Sequence, residues 1–183
     1  MPWSSFEKAM EPLMMNHVYG TNMDGWAKQF TTNYHLAILS GGDMINKIKI
    51  MKPNKTGMEE MLKAKLKQVQ PSTSTTLLDV IGPAVKMYWT GATMMLAPPP
   101  LIPAPGAIKN LVTNQAPVLQ SGTWSPIPVQ PNTDSKIFLK AFIAAATSHL
   151  MTVGGIYVVT ALYPGVPSPV PGPGVVKWQG YMV

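Results

Sequence analysis

The chain contains no cysteine among its 183 residues. Disulfides, cysteine-based zinc sites and thiol catalysis are thereby excluded. It also contains no arginine, so lysine carries all of its positive charge. Arginine supplies the planar two-pronged donor preferred for phosphates and base edges, and its absence argues against a dedicated nucleic-acid reader. Charge of either sign is scarce. Charged residues make up 12% of the chain, about half the usual share for a soluble domain. Neither a P-loop, nor Gly-x-Gly-x-x-Gly, nor a Gly-x-Ser-x-Gly elbow occurs. The N-terminal MPWSSFEKAM has no basic stretch leading into an apolar run, so no secretion signal is expected there.

What the chain does have is apolar bulk, methionine, proline and glycine. Hydrophobic residues reach 46%, enough for a core in one domain or in one domain with long arms. The fourteen methionines suit adaptable contact surfaces, because the side chain is flexible and polarizable. Nineteen prolines and fifteen glycines are clustered rather than scattered. The formal net charge is +6.

Four amphipathic segments precede the first proline cluster. Ser4 and Glu7 have the spacing of a capping box, and Phe6, Met10, Leu13 and Met14 then recur at helical intervals up to Tyr19-Gly20. A second helix is expected from Asp24 as N-cap, with Trp26, Phe30, Tyr34, Ala37 and Ile38 on its apolar face and a stop at Gly41-Gly42. Thr56 and Glu59 form another box, opening a helix with Met58, Met61, Leu62, Leu66 and Val69 on one side until Pro71. The segment TTLLDVIGPAVKMYWTGATMML is helical in composition but holds Pro83, which should kink or split it.

Composition then changes. Residues 97–131 hold nine prolines and can form neither a regular helix nor a central strand. As polyproline II this stretch would reach about 100 Å at roughly 3.1 Å per residue. The expected organisation is a helical region over 1–96, a proline-rich extended arm over 97–131, a helix, Gly-Gly and strand over 132–163, and a Pro/Gly tail with a terminal strand over 164–183.

The run AFIAAATSHLMTVGGIYVVTAL, residues 141–162, carries no formal charge and poses the main ambiguity. With Asp134 as N-cap, Leu139, Phe142, Ile143, Ala146, Leu150 and Val153 fall on one side of a helical wheel. Lys140, Ala144, Thr147, Ser148 and Met151 fall opposite. A lipid-facing span would be apolar all round. The run therefore reads as an amphipathic helix, a Gly154-Gly155 stop and a β-branched strand IYVVTAL. Two internal echoes stand out. GPAVKMYWTGATM resembles GPGVVKWQGYM, and His35-Leu36 before Gly41-Gly42 resembles His149-Leu150 before Gly154-Gly155.

Candidate chemistry is thin. His17, His35 and His149 each sit late in an expected helix without a His-x-x-x-His or Glu-x-x-His spacing. Hydrogen bonding near a helix C-terminus, where positive charge is tolerated, accounts for them better than metal ligation. At least four of the eight carboxylates have capping or dipole roles, and only Asp79 and Asp134 lie beyond Glu60. No catalytic, cofactor-binding or metal-ligating residue is expected. Seven lysines between positions 47 and 67 read as a solvated face or a surface for an acidic protein, since no aromatic residue is interleaved for base stacking.

Three stretches carry a family resemblance: YWTGATMMLAPPPLIPAPG, NTDSKIFLKAFIAAATSHLMTVGG and the ending PGVVKWQGYMV. Helix, Trp-x-Gly, proline-rich arm, helix and Pro/Gly tail resemble small virion structural proteins of contractile-tailed, myovirus-like bacteriophages. The resemblance covers roughly the C-terminal half. It implies a non-enzymatic assembly subunit of a tail, baseplate or neck, located in the virion. Its partners would be other virion proteins and copies of itself, with no specific nucleic acid and no cofactor. The expected fold is mainly α, about five helices with a few short strands and long proline-rich arms, with α+β as the lesser alternative. Expected interaction residues are Trp89, Pro98, Pro99, Pro100, Pro103, Trp124, Trp178 and Tyr181, since proline-rich arms lose little backbone entropy on docking. The competing expectation is a membrane-active protein that inserts residues 141–162, and also 77–96, into a bilayer.

Overall fold

A computed structural model describes residues 2–15, 22–43, 52–68, 74–93, 110–112, 119–129, 134–162, 170–177 and 180–181. The fold is mainly α. The described helices are α1 (Pro2–Met15), α2 (Met23–Ser40), α3 (Lys55–Gln68), α4 (Ser74–Trp89) and α5 (Ser135–Thr152). Strands are interspersed with them, β1 (Gly42–Asp43) after α2 and β2 (Asn110–Val112) after α4, with β3 (Gly154–Leu162), β4 (Val170–Lys177) and β5 (Gly180–Tyr181) after α5. Helix α1 packs on α2 and α5, and α3 packs on α2 and α4.

The core is aromatic and centred on Phe142 of α5. Its ring lies 5.2 Å from Phe6 and 5.1 Å from Phe30, centroid to centroid, with Trp3 at 6.2 Å and Tyr34 at 6.4 Å. These separations and their mostly edge-to-face angles suit ring quadrupoles, each pair adding about 0.5–1.5 kcal/mol beyond area burial. Three helices meet there because their apolar positions recur every three to four residues. Leu139, Phe142, Ala146, Leu150 and Val153 are buried, while Lys140, Thr147, Ser148 and Met151 are exposed. The band on α5 is wider than the wheel suggests, since Phe138, Ala141, Ala145 and His149 are buried as well.

Helix ends depart from the sequence expectations in instructive ways. The cap of α2 is Asn22, whose side chain accepts from the Gly25 N–H, so Asp24 lies inside the first turn. In the same way Asn54 caps α3 through the Gly57 N–H at 2.9 Å, and Thr56 is already helical. Both asparagines stand three residues before a glycine, and the amide side chain fills the space a Cβ would take there. Ser4 lies inside α1, which starts at Pro2. Proline suits a first turn, where its missing N–H has no intrahelical acceptor. Asp134 does cap α5, accepting from the Lys136 N–H at 2.7 Å.

Pro83 neither ends nor divides α4, which runs as one helix from Ser74 to Trp89. Proline normally pushes its predecessor out of the helical region by clashing with that residue's Cβ. The predecessor here is Gly82, which has none. Past the end of α4, Gly91 takes a φ of 75°, a left-handed turn open to glycine without steric cost. Gly154 and Gly155 work differently. Helix α5 stops at Thr152 with Val153 as an extended C-cap, and the two glycines begin β3.

The uncharged run 141–162 is thus half helix and half strand, and no helix among the described residues is long and apolar enough to cross a membrane. Strand β3 is central in an antiparallel sheet of order β2-β3-β4. Part of the Pro/Gly tail, expected as an irregular arm, is the edge strand β4. Pro171 pairs with Thr160 and Pro173 with Val158. The two prolines are two residues apart, so they share one orientation, and an edge strand tolerates proline where the N–H would point away from its neighbour. The terminal residues Gly180–Tyr181 pair antiparallel with Gly42–Asp43 of the same chain. The echo between the two Gly-Pro segments is not structural, because one is helix α4 and the other spans β4. The His-Leu…Gly-Gly echo is structural, since in both places a helix leads into a strand.

Candidate functional site

Residues 119–129 form a strap across the ends of α4 and α5. The Leu119 N–H donates to the Ala92 carbonyl at 2.7 Å, and the Gly91 N–H returns a bond to the Leu119 carbonyl at 3.2 Å. The Gln120 N–H donates to the Gly154 carbonyl at 2.6 Å. Farther on, the Thr123 N–H donates to Thr152 Oγ1 at 2.7 Å, while that hydroxyl donates to the His149 carbonyl at 2.8 Å. Thr152 thus satisfies a carbonyl left over at the helix end and holds the strap at the same time.

Two glycines make this fit possible. At Gly122 a Cβ would collide with Thr152 Oγ1 and the His149 carbonyl. At Gly82 a Cβ would collide with the indole of Trp124. Trp124 therefore sits in a notch that Gly82 opens on α4, with Phe142 at 6.0 Å and the His149 ring at 6.1 Å. Beyond it, Ser125, Ile127 and Pro128 face solvent, and Ile127 is 45% exposed.

His149 lies under this strap with 0% exposure. Its Nε2 stands 3.5 Å from Ser121 Oγ, and its Nδ1 has no hydrogen-bond partner among the described residues. Trp124 Nε1 is likewise buried without such a partner. Burial, helped by the nearby Lys86 charge, pushes the imidazole down to about 4. It is neutral at pH 7, so tolerance of positive charge at a helix end does not account for it.

A second polar cluster ties α2 to α4. The Trp89 Nε1–H donates to the Tyr34 hydroxyl at 2.9 Å, and His35 Nδ1 is 2.8 Å from the Tyr88 hydroxyl. The Asn54 N–H reaches the Tyr88 carbonyl at 2.9 Å, which joins the start of α3 to the same place. Burial holds the Tyr34 and Tyr88 phenols well above their usual range. Burial, and then the Lys55 charge, lowers His35. All three groups are neutral near pH 7.

The expected interaction residues fall in different places. Trp89 is fully buried and belongs to the core, because its indole is paired and packed on Tyr88. Trp124 is half-buried on the strap. Tyr181 lies in β5, opposite Gly42. Pro98, Pro99, Pro100, Pro103 and Trp178 lie outside the described residues, as does His17. Among the described residues no group of three His, Asp or Glu could hold a metal ion. Of the lysine cluster, Lys63 pairs with Glu59 at 2.6 Å and Lys67 with Asp24 at 3.2 Å. Sequence reasoning missed Gly82, Gly122 and Thr152. A glycine directly before the helical Pro83 was the available signal for the first, and no local pattern marks the other two.

No protein-family model, curated protein or solved structure matches the chain.

Proposed function

We propose that the chain is a non-enzymatic structural subunit that docks onto neighbouring subunits through its proline-rich segments. A virion tail, baseplate or neck is the assembly its sequence style resembles. The observation that carries this reading is the strap. It is a segment from the proline-rich stretch 97–131 lying on a helical surface, held ahead of its prolines by backbone bonds, the buried Leu119 and one tryptophan in a glycine notch. The same chemistry can hold an equivalent segment on a second copy or on another virion protein, because backbone donors and a Trp anchor need no charged partner. Scarce charge and exposed large apolar side chains on α2, the strap and α5, namely Leu36, Leu39, Ile127, Ile137 and Met151, are consistent with further contact.

Light-scattering mass on a sizing column, for the intact chain without detergent, tests the reading. A discrete soluble oligomer is expected. A strict monomer at every concentration would remove self-assembly, and material soluble only in detergent would return the membrane-active alternative.

A further inference from the structure

His149 has no room for a second proton while the strap is closed. An imidazolium is a donor at both nitrogens and needs two acceptors. Among the described residues the closed site offers Ser121 Oγ at 3.5 Å from Nε2, and Nδ1 has no partner there. The charged group that acts on the ring from the neighbouring α4 is Lys86, which repels a proton. The strap presents Ser121 and Trp124, neither of which is charged, and α5 itself contributes Thr152, whose hydroxyl is already engaged. Among the described residues no carboxylate acts on the ring.

The strap is also the part best able to leave. Leu119, 1% exposed, anchors its start in the core, while beyond Gln120 the described backbone bonds are few and Trp124 and Val129 are only partly buried. The Phe6, Phe30 and Phe142 cluster is built without it. Segments with few buried contacts open locally while the core stays folded.

We propose that residues 121–129, hinged on the buried Leu119, are a latch over His149, which opens when the imidazole takes up a proton and frees the Trp124 end while the helices stay packed. Neutral His149 keeps the latch shut, and an opened latch lets the ring titrate in water. With the ring at about 4 when closed and 6.5 when open, linkage raises the opening constant about twentyfold between pH 7 and pH 5, and about a hundredfold by pH 4. The latch does not depend on whether the chain assembles.

The test is ¹⁹F NMR of the intact chain labelled with 5-fluorotryptophan, titrated from pH 7.5 to 4. The Trp124 resonance is assigned through Trp124→Phe. It is expected to move to a solvent-exposed position while those of Trp3, Trp26 and Trp89 stay in place. His149→Gln should hold Trp124 in its closed position across the range. Lys86→Gln, at an exposed position, lets the closed ring take up a proton more easily, so it should weaken the opening at the acid end of the range, and it serves as the test if His149→Gln does not fold. A Trp124 signal that ignores pH would overturn the latch. So would the Trp3, Trp26, Trp89 and Trp124 resonances moving together with loss of helix, an acid response that survives His149→Gln, or an acid opening that Lys86→Gln strengthens.

Discussion

The Trp89 indole and the Tyr34 hydroxyl meet 2.9 Å apart inside the core, both at 0% exposure. A buried hydrogen bond contributes little net stability when whole, but losing one partner strands the other. Tyr34→Phe should therefore cost about 1–3 kcal/mol, by leaving the Trp89 Nε1–H unpaired. Trp89→Phe should cost more, because it adds a cavity to a stranded hydroxyl. The double variant should be less destabilised than the sum of the two, by about 0.5–3 kcal/mol, the range seen for residues in contact. Chemical denaturation of the three variants measures this coupling, and strict additivity would mean the bond contributes nothing. Trp89→Ala is accordingly a folding variant, and loss of assembly in it says nothing about docking.

Helix α4 sets two neighbouring residues against each other. Pro83 is exposed and leaves the Asp79 carbonyl without its intrahelical donor. Pro83→Ala restores that bond and a good helix former, against some loss of unfolded-state restriction. A net gain of about 1–2 kcal/mol is expected, read as a rise of roughly 2–8 °C in melting temperature. Gly82→Ala improves propensity by about 1 kcal/mol. It also drives a methyl into the Trp124 indole, an overpacking that costs about 1–3 kcal/mol. It should lower the melting temperature and loosen the strap, and a melting temperature that rises would show that Trp124 repacks freely. Element by element, the helices were legible because the positions of Phe6, Phe30, Leu62 and Phe142 recur with the helical period. Their starts were misplaced where an asparagine two residues upstream outcompeted Asp24 and Thr56 as the cap. The strap was not legible. Gly122 and Thr152 meet across thirty residues, and nothing local in TWSPIPVQP says which helix it covers. The first part of β4, residues 170–174, was hidden for a related reason, since proline excludes a central strand but not an edge, while 175–177 fall in the expected terminal strand.

On the scale of the whole molecule, the scarcity of charge decides what kind of association to expect. The lysines near α3 are partly neutralised in place, Lys63 by Glu59 and Lys67 by Asp24, and Lys136 of α5 pairs with Glu11 of α1 at 3.3 Å. Surface pairs of this kind contribute little and are screened by salt. Five large apolar side chains, by contrast, are exposed across α2, the strap and α5, Met151 by 70%. An assembly held by such residues and by backbone bonds buries apolar surface, and salt does not weaken that driving force. The oligomer mass should therefore be the same in about 50 mM and 500 mM sodium chloride, between which the screening length falls severalfold. Sodium sulfate should strengthen association, because it is excluded from protein surfaces. Dissociation as chloride rises would reverse the assignment. It would place the interface on the lysines at positions 47–67 and make an acidic partner, rather than the proline-rich segments, the first thing to look for.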